Sequence, residues 1–216
     1  MKLLFLAGNI LAGFLDFAIG IFVVAMLSSV WGIELSPWVL VVGGIAAVLP
    51  DFDVIWFLVS KGKPSGDHHQ SIFHRPLVMI PVVGLLALIA GGDFWCAAIS
   101  VCLFWHYLHD TRGFGGGGIA WFWPFSRKYW SLTGGQEPES SIMATSESGH
   151  VEWINTVWLR PSRICVRHTV TGSLLLGIAL SLVTNAQTGI IAFTVVLLSI
   201  SSLWMLNNFL KKPVSK

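Results

Sequence analysis

The chain has 216 residues, 54% of them hydrophobic and only 11% charged, against about 25% charged in an average soluble domain. With a mean hydropathy of +0.73, this composition excludes a disordered tail, a basic nucleic-acid binder and an ordinary soluble enzyme, and it points to an integral membrane protein. The net charge of +2 says less than where the charges fall.

In chain order, the apolar runs predict an all-α, polytopic helical bundle of about six transmembrane helices, a single membrane domain over residues 1–216. A hydrocarbon core of about 30 Å needs about 20 apolar residues as helix. The runs are residues 3–30, interrupted by Asp16; 37–60, interrupted by Leu49-Pro50-Asp51-Phe52-Asp53; 76–92 and 93–109, split by the turn Gly91-Gly92-Asp93; 168–184; and 189–210, after the turn Asn185-Ala186-Gln187-Thr188. Lys2 ahead of an apolar stretch imitates a signal peptide. The run continues past a normal h-region with no A-x-A-like site, so the first segment is expected to stay uncleaved.

Charge placement tests this count. With six spans, one side receives the N-terminus (Lys2), the second connection (Lys61, Lys63, Arg75), the fourth (Arg112, Arg127, Lys128, Arg160, Arg163, Arg167) and the C-terminus (Lys211, Lys212, Lys216), which together are all 13 Lys and Arg. The positive-inside rule then predicts an inner-membrane, multi-pass protein with both termini in the cytoplasm.

The connection 110–167 is the one sizeable polar stretch. Its opening, Gly113-Phe114-Gly115-Gly116-Gly117-Gly118, matches GxGxxG formally, but no strand precedes it and no Lys-Ser/Thr follows, so it reads as a turn. Trp121, Trp123, Tyr129 and Trp130 suit an interfacial aromatic belt. Residues 134–149 read as a polar loop where a cytoplasmic regulator could dock. Cys96, Cys102 and Cys165 form no CxxC pair and read as reduced packing residues.

Four places carry acidic or imidazole groups that a plain membrane helix would not. Asp51 and Asp53, at i and i+2, cannot share a helix face, but Pro50 disfavours helix at Leu49 and a turn lets both converge. Asp67-His68-His69-Gln70-Ser71-Ile72-Phe73-His74-Arg75 holds three of the seven histidines, with His69 and His74 spaced for a turn running into a helix start. In Trp105-His106-Tyr107-Leu108-His109-Asp110, His106 and Asp110 lie at i and i+4 on one face, and His109 is within a turn. Glu152 could be a ligand, a general base or a surface charge. The predicted topology brings the first three groups to one membrane side. Imidazole and carboxylate without thiolate suit Zn, Mn or Fe better than Ca or Cu(I). Asp16 lies deeper, facing the same cavity or pairing with another helix.

These motifs, in this order, resemble the bacterial inner-membrane metal-dependent hydrolases, a family also described as LexA-binding. Its LPD-x-D turn, H-x4-H segment, H-x3-D helix end, Trp-Pro pair and G-x-x-E correspond to Leu49 to Asp53, His69 to His74, His106 to Asp110, Trp123-Pro124, and Gly149 to Glu152. In the family's usual His-Arg-x-x-Thr-His-Ser segment this chain has Gln70, Phe73 and Arg75 in place of Arg, Thr and Ser. Where the first span often carries a His, it has Asn9 or Asp16.

Residues and resemblance together imply a membrane-bound hydrolase using one or two divalent ions, Zn or Mn foremost. Asp51, Asp53, His69, His74, His106 and Asp110 would be ligands, and Glu152 or His109 would be general base or orienter. The expected substrate is a phosphate ester, small or lipid-linked, with no direct nucleic-acid partner. The alternative is a non-catalytic metal-binding protein acting as sensor, transporter or scaffold.

Overall fold

The structure, a computed structural model, describes residues 2–52, 71–111, 118–132 and 152–210. Six α-helices make up most of it: α1 (Lys2–Trp31), α2 (Pro37–Val48), α3 (Pro76–Gly91), α4 (Asp93–Asp110), α5 (Arg163–Val183) and α6 (Ala186–Leu210). The described residues contain no strand, only an isolated antiparallel bridge between Ile119 and Trp130. Among the described residues three helices are long and apolar enough to cross a membrane: α1 over Leu6–Trp31, α5 and α6. The apolar stretches Pro37–Phe52 and Pro76–Gly91 are shorter.

Local chemistry sets the helix ends. Ser36 caps α2, its hydroxyl accepting from Val39 N, and Pro37 takes the first turn, where its missing N–H costs nothing. Gly92, at φ 82°, makes the reversal between α3 and α4 that a side chain would strain. The expected four-residue turn at Asn185 is shorter. The Asn185 side chain accepts from Thr188 N at 2.9 Å and caps α6, which therefore begins at Ala186. In the same way Ser162 accepts from Cys165 N, so α5 starts at Arg163 and His168 lies more than a turn inside it.

Neighbouring helices run antiparallel where small residues let backbones meet. A Cβ on Gly20 of α1 would run into the Gly43 carbonyl of α2, and Gly177 of α5 lies against Gly189 of α6. α1 is central, packing on α2, α4 and α5. Its upper half joins Val24 to Phe94 and Ala98 of α4. Its lower half packs Leu11 against Ile154, Trp158, Leu159, Cys165 and Ile200. The π-helical turn Ile154–Trp158 is tied to α6, where Asn207 Nδ2 donates to Leu159 O at 2.8 Å and Trp204 Nε1 to Trp158 O at 3.3 Å.

Helix lengths place the polar cluster. From Asp93 to His106, and from Trp31 back to Asp16, the helices run about 20 Å at 1.5 Å per residue, while α1 continues about 20 Å beyond Asp16. The ends of α2 and α4 therefore meet at a recess beside the longer α1.

Candidate metal centre

Pro50 ends α2, as the sequence predicts, but the chain does not open into a loop. It tightens into a 3-10 turn, Leu49–Phe52, in which Leu49 remains right-handed and donates to Ala46 O. Proline has no N–H to continue the α ladder, and the last four carbonyls of a helix have no intrahelical partner. One of these, Ala47 O, meets His106 Nδ1 of α4 at 2.8 Å. A carbonyl can only accept, so Nδ1 carries the hydrogen and Nε2 is turned to the opposite side of the ring.

Nε2 faces acids. His106 Nε2 lies 3.1 Å from Asp110 Oδ2, one helical turn on, and 3.5 Å from Asp51 Oδ1. His74 reaches the same place from a second 3-10 turn, Ile72–His74, with Nε2 3.7 Å from Asp51 Oδ1 and 3.6 Å from Asp110 Oδ2. Ser71 Oγ holds the other nitrogen of that ring at 3.2 Å, and Tyr107 OH pins the turn to α4 by donating to Phe73 O at 2.7 Å. Both imidazoles are buried, whereas 35% of the Asp51 side chain is accessible, so the cluster is least enclosed on the Asp51 side.

These separations fit a cation. Ligand atoms at about 2.0–2.2 Å from a tetrahedral ion stand about 3.3–3.6 Å apart, close to the 3.1–3.7 Å found between the imidazole nitrogens and carboxylate oxygens. Asp51, His74 and His106 each offer one ligand atom within 4.8 Å of the others. The orientation of His106 by a backbone carbonyl is the outer support that metal-binding histidines use.

Asp16 organises the inner wall. It is buried, and its two oxygens accept from Trp105 Nε1 at 2.8 Å and from His109 Nδ1 at 3.1 Å, with Oδ2 4.0 Å from His106 Nδ1. His109, expected as a base or orienter, is thus oriented by Asp16, and its ring stands 5.0 Å from that of His168. His168 was not expected at the site; it is buried against Trp158, and its sequence signal was a histidine opening the fifth apolar run.

The aromatic stretch after α4 packs as an outer wall. Trp121 Nε1 donates to Thr111 Oγ1 at 2.7 Å, and Leu132 N to Thr111 O. Arg75, beside His74, lies over the Trp123 and Tyr129 rings and donates to Tyr129 OH at 3.1 Å. Glu152 is exposed at the start of the π-helical turn, and among the described residues no ion pair joins it to the cluster. Asp53, His69, Lys61, Lys63, residues 113–117 of the glycine run and the loop 134–149 lie outside the described residues.

Comparison with known proteins agrees with this membrane architecture. A model of the YdjM inner membrane protein family matches residues 12–209, and the chain belongs to that family. It is 33% identical over 99 residues to the inner membrane protein YbcI of Escherichia coli (strain K12), a match covering 43% of this chain and 57% of that relative, so the chain spans little more than half the length of the curated relative it matches. No solved structure matches. The protein is therefore a bacterial inner-membrane protein in contact with the lipid bilayer.

Proposed function

We propose that this member of the YdjM family is a membrane-bound, metal-dependent hydrolase acting on a phosphate ester at the cytoplasmic face of the inner membrane. The observation that carries the reading is the orientation of His106. With Nδ1 donating to Ala47, its Nε2 points at two carboxylate oxygens. Such a largely buried cluster needs a positive charge among its members, a metal ion in this reading or protons on the imidazoles otherwise. Zn or Mn suits the mixed imidazole and carboxylate set.

A divalent cation held there supplies Lewis acidity toward water and a phosphoryl oxygen. The chain's own residues do the rest. Asp51, His74, His106 and Asp110 hold the ion, joined in this reading by Asp53 and His69. Ala47 O and Ser71 orient the two imidazoles. Glu152 and His109 are the groups proposed to handle protons. A six-span topology with both termini cytoplasmic belongs to the same reading. It is supported by the segregation of every Lys and Arg to one side and by the antiparallel sequence of helices. That topology would also expose the connection 110–167 to a cytoplasmic regulator, as the LexA-binding description of the resembling family implies.

The test is metal analysis of detergent-purified protein, followed by assay on phosphomonoesters, phosphodiesters and phospholipids with Zn or Mn and a chelator control. Asp110→Asn keeps the size but removes a negative ligand, so bound metal and hydrolysis should fall together. Glu152→Gln should keep the metal and lower turnover about 10²–10⁴-fold, the scale of a general acid or base. Full activity in Asp110→Asn, or no turnover by metal-replete protein on these and other ester panels, would overturn the hydrolase reading. Bound metal without turnover would leave a sensor or scaffold. Absence of metal would mean that protons on the imidazoles neutralise the carboxylates.

A further inference from the structure

A second cavity lies on the other side of Asp16. α4 and α5 both pack on α1 but hardly on each other, and the gap between them is a cleft of about 360 Å³ with α1 as its floor. Residues at i and i+4 spacing line it from three helices: Leu15 and Ile19 from α1, Trp105 and His109 from α4, and Arg167, Thr171 and Leu175 from α5. From Arg167 to Leu175 the α5 wall runs about 12 Å along the helix axis.

The cleft is polar at one end only. Leu15, Ile19, Phe22 and Leu175 make its body apolar, while His109, Arg167 and His168 gather where α5 begins. Arg167 is exposed, and Arg163, one turn earlier, is exposed on the same side of α5. His109 lines the cleft with its ring largely buried and its Nδ1 engaged by Asp16. Apolar walls running along membrane-crossing helices, with cationic groups at one end, match the chemistry of one bilayer component, an anionic phospholipid.

We propose that this cleft is a lipid site. One acyl chain would lie along α1 between α4 and α5, and the phosphate-bearing headgroup would sit at Arg167 and Arg163, where α5 begins. The inference goes beyond the hydrolase reading and does not depend on it, because none of the metal-ligand candidates lines the cleft. The two sites share His109 and the Asp16 that orients it.

The test uses full-length protein in nanodiscs of phosphatidylcholine doped with phosphatidylglycerol whose acyl chain carries a diazirine, against the same label on phosphatidylcholine. Cross-linked peptides are mapped by mass spectrometry. Labelling should concentrate on residues 15–22, 105–109 and 171–175, and phosphatidylglycerol should be preferred. Thr171→Trp, which fills the cleft, should remove that labelling while sparing the rest of the perimeter. Arg167→Gln tests the charge without adding bulk, and should cut the preference about five-fold, the worth of one basic residue at an anionic lipid surface. Chelator treatment should change none of this, which separates the lipid site from the metal site. Even labelling around the perimeter, equal labelling by the two lipids, or a second copy of the chain cross-linked across the cleft would overturn the proposal.

Discussion

Asp16 ties α1 to α4, and its replacement gives a graded prediction. Its two oxygens accept from two donors on another helix, the half-buried Trp105 Nε1 and the buried His109 Nδ1. Asp16→Leu removes both acceptors without leaving a large void. In a water-referenced interior each stranded donor costs about 1–3 kcal/mol. Within a membrane the unfolded chain also finds partners, and measured interhelical hydrogen bonds average about 0.6 kcal/mol with a maximum of about 1.7. Two bonds to a carboxylate belong at the upper end, so Asp16→Leu should destabilise by about 2–3 kcal/mol. Asp16→Asn should cost less than half of that. Its amide oxygen still accepts from Trp105, and its NH2 can donate to His109 Nδ1 once the ring moves its hydrogen to Nε2. The assay is reversible unfolding in mixed detergent micelles, titrated with SDS, on wild type and the two variants. If Asp16→Leu unfolds within 0.5 kcal/mol of wild type, a threshold near the ordinary scatter of neutral surface changes, or if Asn is no better than Leu, the bridge between α1 and α4 does not have the role assigned to it.

Three further outcomes are expected. His106→Ala and Asp51→Asn should each lose bound metal by elemental analysis, whereas His168→Ala, packed behind His109 and Trp158, should retain it; equal retention in all three would leave the cluster a set of ion pairs. Gly20→Leu should destabilise by about 1–3 kcal/mol or more in the same unfolding assay, the scale of overpacking, because any Cβ there meets the Gly43 carbonyl; an unchanged midpoint would mean that α1 and α2 are not in close contact. Reporter fusions after Lys63, at Gln136 and at the C-terminus should report cytoplasm, and fusions at Glu34 and Asn185 the opposite side, from the placement of Lys and Arg; a periplasmic signal at Gln136 would divide the proposed ligands between two faces.

The amino-acid sequence by itself determined the helical class, the main breaks and the types of residue at the site. Gly91-Gly92 and Asn185 mark reversals through local backbone and capping chemistry, Pro50 ends a helix because it lacks an N–H, and His106 and Asp110 share a face because 3.6 residues make a turn. Such features depend on neighbours in the chain and can be read from it. Tertiary structure alone decided which groups face one another. Asp16 lies 89 and 93 positions from Trp105 and His109, and nothing in its own segment distinguishes an acid that orients a histidine from one that pairs elsewhere. His168 became part of the interior only when α5 packed parallel to α1, and the Ala47 carbonyl became a partner for His106 only when the end of α2 met the end of α4. The 3-10 turn at Pro50 illustrates the division: proline dictated that the α ladder stop, while packing against His74 and α4 selected the tight turn that directs Asp51 to the two imidazoles.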